Sequence, residues 1–194
     1  MTLMGAGEMG FIAKTKKIER GEWMQTRNGI AFYPIDPRPE EINIFDISSA
    51  LSKQCRYAGH CIRPYSVAEH CVHVSMASPH EYALTALMHD ASEAYLVDIP
   101  RPLKRMMSQY REIEAKLEQV IADKYNLTYP FPKAVKDIDN RILSDERIQN
   151  MSKPPMPWNT DENLEPIGIT LQYWSPARAN EEFLDAFYRY GGVE

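Results

Sequence analysis

The chain has 194 residues, of which 44% are apolar and 25% charged, with a formal net charge of −5. One domain with a buried core is the expectation at that size, and the lack of a basic block excludes a long nucleic acid as main partner, since such binding needs clustered Lys and Arg. No apolar run has the length of a membrane span and the N-terminus lacks the unbroken apolar core of a secretory signal, so no membrane partner and a cytoplasmic location are expected.

Residues 23 to 35 contain Asn28-Gly29 between two runs of β-formers, which predicts a hairpin that Pro34, Pro37 and Pro39 close. A short helix is predicted over 46–54, with Asp46 as its cap. The next helix starts at Ser66, because Ser66 and Glu69 have capping-box spacing. A helix over about 80–96 follows. Its apolar residues wrap most of its circumference, so it is expected to be the central, most buried helix. Asp98-Ile99-Pro100-Arg101-Pro102 ends it. Tyr110, Ile113, Leu117, Val120 and Ile121 predict a helix ending near Asn126, and Val135, Ile138, Ile142 and Leu143 another over about 132–150. The proline-rich stretch from Lys153 to Pro166 is a loop, and a final amphipathic helix carries Phe183, Leu184, Phe187 and Tyr188. Cys55, Cys61 and Cys71 are odd in number and close in sequence, which argues against a disulfide framework, and Cys71 is expected to be a small core residue. The fold class is therefore mainly α with a small N-terminal β-hairpin, in one domain spanning residues 1–194.

Four ionisable residues stand on apolar faces. Asp139 shares a stripe with Val135, Ile142 and Leu143, whereas Asp137 faces water beside Lys133 and Arg141. A carboxylate on a buried stripe costs several kcal/mol unless compensated, either by a bound cation or by an ion pair from another helix. His70 has Val67 and Val74 at helical contact distance, and read alone it is a core histidine. His89-Asp90 interrupts the most apolar helix of the chain, and adjacent residues there diverge by about 100°. They can reach one point only if it lies between helices. Two imidazoles and two carboxylates form a ligand set for Mn, Fe, Co, Ni or Zn. His73 is the rival ligand, while His60 and His80 fall in or near loops. Glu93, one turn after His89, and Asp98, at the helix break, can orient a water or pass a proton. The alternative for Asp98 is a turn residue before Pro100.

These residues resemble a known family. His70, His89-Asp90 and Asp139 match in type and order the H...HD...D signature of HD-domain phosphohydrolases. The segments Tyr65–His70 and His89–Lys104 look like the branch holding bacterial deoxyribonucleoside 5′-monophosphatases and small phage-type dATP triphosphohydrolases. The resemblance runs from about residue 40 to 150 and implies an HD-domain helical bundle. It implies a divalent metal on His70, His89, Asp90 and Asp139, and a catalytic acidic pair of Glu93 and Asp98. It also implies phosphate contacts from Arg56 and Lys104, and an aromatic for the base at Tyr57. Arg63 is a further cation for the phosphate charge.

The expected activity is metal-dependent hydrolysis of nucleotide phosphoesters, since no Gly-rich phosphate loop points to a kinase or motor. Arg101, Lys104 and Arg105 cluster after the helix break, and the Cys55–His60 segment and hairpin resemble the phage-type proteins more than the monophosphatases. The reading therefore leans to a dNTP or dATP triphosphohydrolase, with Mg accompanying a polyphosphate substrate. Its alternatives are a deoxyribonucleoside 5′-monophosphatase and a catalytically silent nucleotide-binding module. A homo-oligomer is considered through the aromatics of the last helix.

Overall fold

The computed structural model describes residues 20–158 and 164–194, and part of the predicted Lys153–Pro166 loop lies outside them. The fold is mainly helical with one two-stranded antiparallel sheet. Strands β1 (Met24–Gln25) and β2 (Ala31–Phe32) pair Met24 with Phe32 and Gln25 with Ala31. The Gly29 amide closes a tight turn onto the Thr26 carbonyl, 3.0 Å away. Gly29 has φ +79, the left-handed conformation that a three-residue hairpin loop requires at this position. The hairpin is as expected, though its paired strands are short.

Eight helices follow among the described residues: α1 (Ile44–Leu51), α2 (Val67–Ala77), α3 (Ala83–Leu87), α4 (Glu93–Leu96), α5 (Arg101–Lys104), α6 (Ser108–Tyr125), α7 (Lys133–Asn150) and α8 (Pro176–Arg189). Helix α1 begins two residues before the predicted start, and Asn43, not Asp46, caps it by accepting from the Phe45 amide. Asp46 instead turns inward and accepts from the Asn28 amide at 2.9 Å, tying the hairpin tip to α1. Ser66 caps α2 through the Glu69 amide as predicted. Its capping-box partner does something else: the buried Glu69 carboxylate accepts the backbone amides of Gln172, Tyr173 and Trp174 at 2.7–2.8 Å. That charge-assisted anchor fixes the segment leading into α8.

The central helix is α2, not the 80–96 segment. Every residue from Val67 to Ser75 is buried, and α2 packs against α1, α3, α7 and α8. Its polar residues are tolerated there because Glu69 and His70 have partners on other segments. The 80–96 segment breaks after Leu87 into turns and resumes as α4. The Ala86 carbonyl, which a continuing helix would offer to the Asp90 amide, accepts from the His89 ring at 2.7 Å. Helix α7 has the predicted extent, and α6 ends where expected, on left-handed Asn126 (φ 52). In α8, Phe183 and Phe187 are wholly buried against α1 and α2, leaving Tyr188 as the exposed aromatic of that helix. Its supposed dimer face is thus mostly core. No described helix is long and apolar enough to cross a membrane.

Candidate metal centre

The break at His89-Asp90 creates the site. With the chain leaving α3 in successive turns, the two adjacent side chains swing to one point, which α2 and α7 approach from the other side. His70 Nε2 lies 3.2 Å from Asp139 Oδ1 and 3.6 Å from Asp90 Oδ2. His89 Nε2 lies 3.3 Å from Asp90 Oδ2 and 3.6 Å from Asp139 Oδ1. Ligands about 2.1 Å from a transition metal stand about 3.0 Å apart at right angles and about 3.4 Å apart at tetrahedral angles. Those four contacts are near the spacing of ligands on one metal; the donor atoms of His70, His89 and Asp139 all fall within 4.8 Å of one another, and Asp90 falls in an overlapping group with His89 and Cys71.

The outer contacts set the ring orientations. His70 Nδ1 meets Glu146 Oε1 at 2.7 Å and His89 Nδ1 donates to the Ala86 carbonyl at 2.7 Å. With Nδ1 so engaged, Nε2 of each ring carries the lone pair, and both Nε2 atoms are buried without a hydrogen-bond partner. This is the arrangement by which metal-binding histidines are oriented.

The buried His and Asp group could hold a metal ion. Burial opposes ionisation of Asp90, yet the neighbouring charges of His89 and His70 hold its pKa down at about 2. Asp139, partly desolvated in the same way, is held well below the usual carboxylate range by the two adjacent imidazoles. Burial also opposes a charged His89, but Asp90 and Asp139 raise its pKa well above the ordinary imidazole value. Two ionised carboxylates thus hold positive charge between them. A metal ion bound by the same residues would take the place of the ring protons.

A cavity of about 680 Å³ opens beside this cluster, within the range of small-ligand sites. Asp90 and Asp139 form part of its wall, together with Glu93, Asp98, Arg56, Tyr57 and Lys104. Burial and the nearby charges of Asp90 and Asp98 push the pKa of Glu93 well up. Asp98 is raised by burial, against the pull of Arg56. Gln54 holds both in place, donating to the Glu93 carbonyl at 2.9 Å and accepting the Asp98 amide at 3.1 Å. Arg56 is buried between Glu146 (Nε to Oε2, 3.3 Å) and Asp90 (3.6 Å). Lys104 is paired with Glu114 at 2.5 Å.

Arg63 is not brought to the site. Its guanidinium lies 3.8 Å over the Tyr173 ring, outside the cavity wall, and its backbone is pinned by the Asn150 side chain. His73, the rival ligand, stacks on Trp174 with its Nε2 3.5 Å from Glu69. His80 packs edge-on against Tyr190, while His60 stands on the cavity wall. Cys71 is near enough to His89 and Asp90 to form a second donor group. Burial pushes its thiol up to about 11, and it serves as the expected core residue. Asp137 faces water and pairs with Lys133 at 2.5 Å.

Two contributors escaped the sequence reading. Glu146 is wholly buried and gathers His70, Arg56 and the Tyr57 hydroxyl. The signal was available, since Glu146 continues the Val135-Asp139-Ile142 stripe at helical spacing. Trp158, read as part of a loop, lines the cavity with its ring centroid 6.0 Å from that of Tyr57.

The uncharacterized protein YfdR of Escherichia coli (strain K12) is 44% identical over 125 residues, which cover 64% of this chain and 70% of YfdR. The chain belongs to the YfdR family. A second relative, the uncharacterized protein RCAP_rcc00048 of Rhodobacter capsulatus, is 31% identical over 124 residues, 59% of this chain and 63% of its own. No protein-family model matches the chain.

Proposed function

We propose that this protein is a metal-dependent nucleotide phosphohydrolase of the HD-domain type, acting on deoxynucleotides and accepting triphosphates such as dATP. The observation that carries the reading is the convergence of His70, His89, Asp90 and Asp139 on one point at the edge of a cavity that also exposes two raised-pKa carboxyls and several cations. A divalent ion would be held by those four residues and would supply Lewis-acid polarisation of a phosphoryl oxygen and activation of the attacking water. The rings of His70 and His89 are held by Glu146 and the Ala86 carbonyl, so little reorganisation is needed for them to bind.

The remaining chemistry belongs to the chain. Glu93 and Asp98, both shifted upward mainly by burial, line the cavity where they can pass a proton to a leaving oxygen. Arg56 and Lys104 offset phosphate charge, and their carboxylate partners hold them in the cavity wall. Arg101 and Arg105 extend the positive wall, which favours a chain of phosphates over one. Tyr57 and Trp158 supply aromatic surface for a base.

A 5′-monophosphatase is the second reading. It is favoured by Arg56 and Lys104 each having a carboxylate partner already, which leaves less free positive charge for a polyphosphate. Incubating metal-loaded protein with deoxynucleoside mono-, di- and triphosphates and identifying the products separates the two. Liberation of intact triphosphate supports the first, orthophosphate from monophosphates alone supports the second, and no cleavage of any nucleotide rejects both.

A further inference from the structure

The segment that carries Arg56 and Tyr57 is a short loop closed at its neck by two thiols. Cys55 and Cys61 stand on either side of residues 56–60, with their Sγ atoms 3.4 Å apart. Both are partly exposed, whereas Cys71 is buried. Between them the backbone turns through three consecutive left-handed residues, Tyr57 (φ 58), Ala58 (φ 50) and Gly59 (φ 81). Two of these carry side chains, for which that conformation is unfavourable. The loop is held in it from outside. The Arg56 amide donates to the Tyr65 carbonyl at 2.9 Å, and Arg56 and the Tyr57 hydroxyl both bind Glu146. Ala58, Gly59 and His60 are exposed, and the one backbone hydrogen bond inside the loop runs from the His60 amide to the Tyr57 carbonyl at 3.0 Å.

We propose that Cys55 and Cys61 form a reversible disulfide that locks residues 56–60 in the conformation presenting Arg56 and Tyr57 to the cavity. The sulfurs need to close from 3.4 Å to about 2.05 Å, a small motion for two side chains already in contact. One thiolate attacks a small disulfide oxidant, forming a mixed disulfide and releasing one thiol. The second cysteine loses its proton and attacks the protein-bound sulfur, so the Cys55–Cys61 bond forms and the second thiol leaves. Two cysteine thiols are oxidised by two electrons and the oxidant is reduced to two thiols. A single exposed pair without a disulfide framework is the responsive kind of crosslink, not the structural kind. Its consequence for nucleotides rests on the function proposed above, but its formation and its effect on the loop do not.

The test uses the full chain, reduced and then treated with glutathione disulfide. Peptide mapping is expected to find a Cys55–Cys61 crosslink with loss of two hydrogens, reversed by dithiothreitol. The Cys61→Ser variant should carry glutathione on Cys55 instead. Amide exchange over residues 57–60 should slow severalfold in the oxidised wild type and remain unchanged in Cys61→Ser. In the nucleotide assay the oxidised form should show a lower KM at similar kcat. Separate glutathione adducts on both cysteines, no reaction at either, or a crosslink that leaves exchange over 57–60 unchanged or faster would each overturn the proposal. A crosslink with slowed exchange, in protein that cleaves no nucleotide in either redox state, supports the lock and removes the enzymatic reading.

Discussion

Replacing Glu146 by Gln tests whether the buried carboxylate organises the metal centre. Glu146 is 0% exposed and receives His70 Nδ1 at 2.7 Å, Arg56 Nε at 3.3 Å and the Tyr57 hydroxyl. Burial alone would raise its pKa, but Arg56 and His70 hold it down to about 2 from an ordinary 4.5. At about 1.4 kcal/mol per unit, those partners favour the ionised form by roughly 3 kcal/mol. Because the folded pKa is depressed, this stabilisation is complete at neutral pH and is lost only as pH falls from the unfolded value through about 2. Gln keeps the shape and removes the charge, so the fold should lose about 1–3 kcal/mol. Divalent-metal affinity should fall about 10- to 100-fold, the usual cost of losing the group that orients a ligating imidazole. Chelator-competition titration with Mn(II) or Co(II) reads the affinity, and urea denaturation reads the fold. A folded Glu146→Gln protein that binds metal as tightly as wild type would refute the argument that this carboxylate sets the His70 ring.

Glu93→Gln should cut kcat by about 10²- to 10⁴-fold while metal affinity stays near wild type, because Glu93 lies on the cavity wall outside the four-donor set. Comparable loss of both, measured by steady-state kinetics and metal titration, would make Glu93 a ligand instead. Glu69→Ala should destabilise the protein by about 3–5 kcal/mol in urea unfolding, since it strands three backbone amides that approach within 2.8 Å. Proteolysis should then open the chain near residues 170–175 first, and an unchanged urea midpoint would contradict the anchor. Burial, reinforced by Glu114, raises Glu118 to about 7. A raised folded pKa favours the native state below the unfolded value, and that advantage is lost as pH rises through about 7. Wild type should therefore lose stability relative to Glu118→Gln between about pH 5 and pH 8, and parallel pH profiles of the two urea midpoints would exclude the shift.

Periodicity and capping chemistry were enough for most of the helices. The C-terminal end of α6, the limits of α7, the Ser66 cap and the Asn28-Gly29 turn follow from local sequence, because each is decided by residues within a few positions. The same local logic set Asp139 on the buried stripe of α7 and Asp137 in water. Other outcomes depended on partners distant in the chain. The helix through His89-Asp90 breaks because the His89 ring takes a backbone carbonyl, and its reward is a place beside residues of α2 and α7. Glu69 left its capping box for amides about a hundred residues away, and Arg63 went to Tyr173 instead of the cavity. Spacing along one helix predicts which side chains share a face. It does not say which carboxylate on that face will be met by an arginine, a tyrosine and a histidine from elsewhere, as Glu146 is. That was decided by the packing of α7 against α2 and the 56–60 loop, from which three unlike hydrogen-bond donors converge on a side chain that could not otherwise be buried ionised.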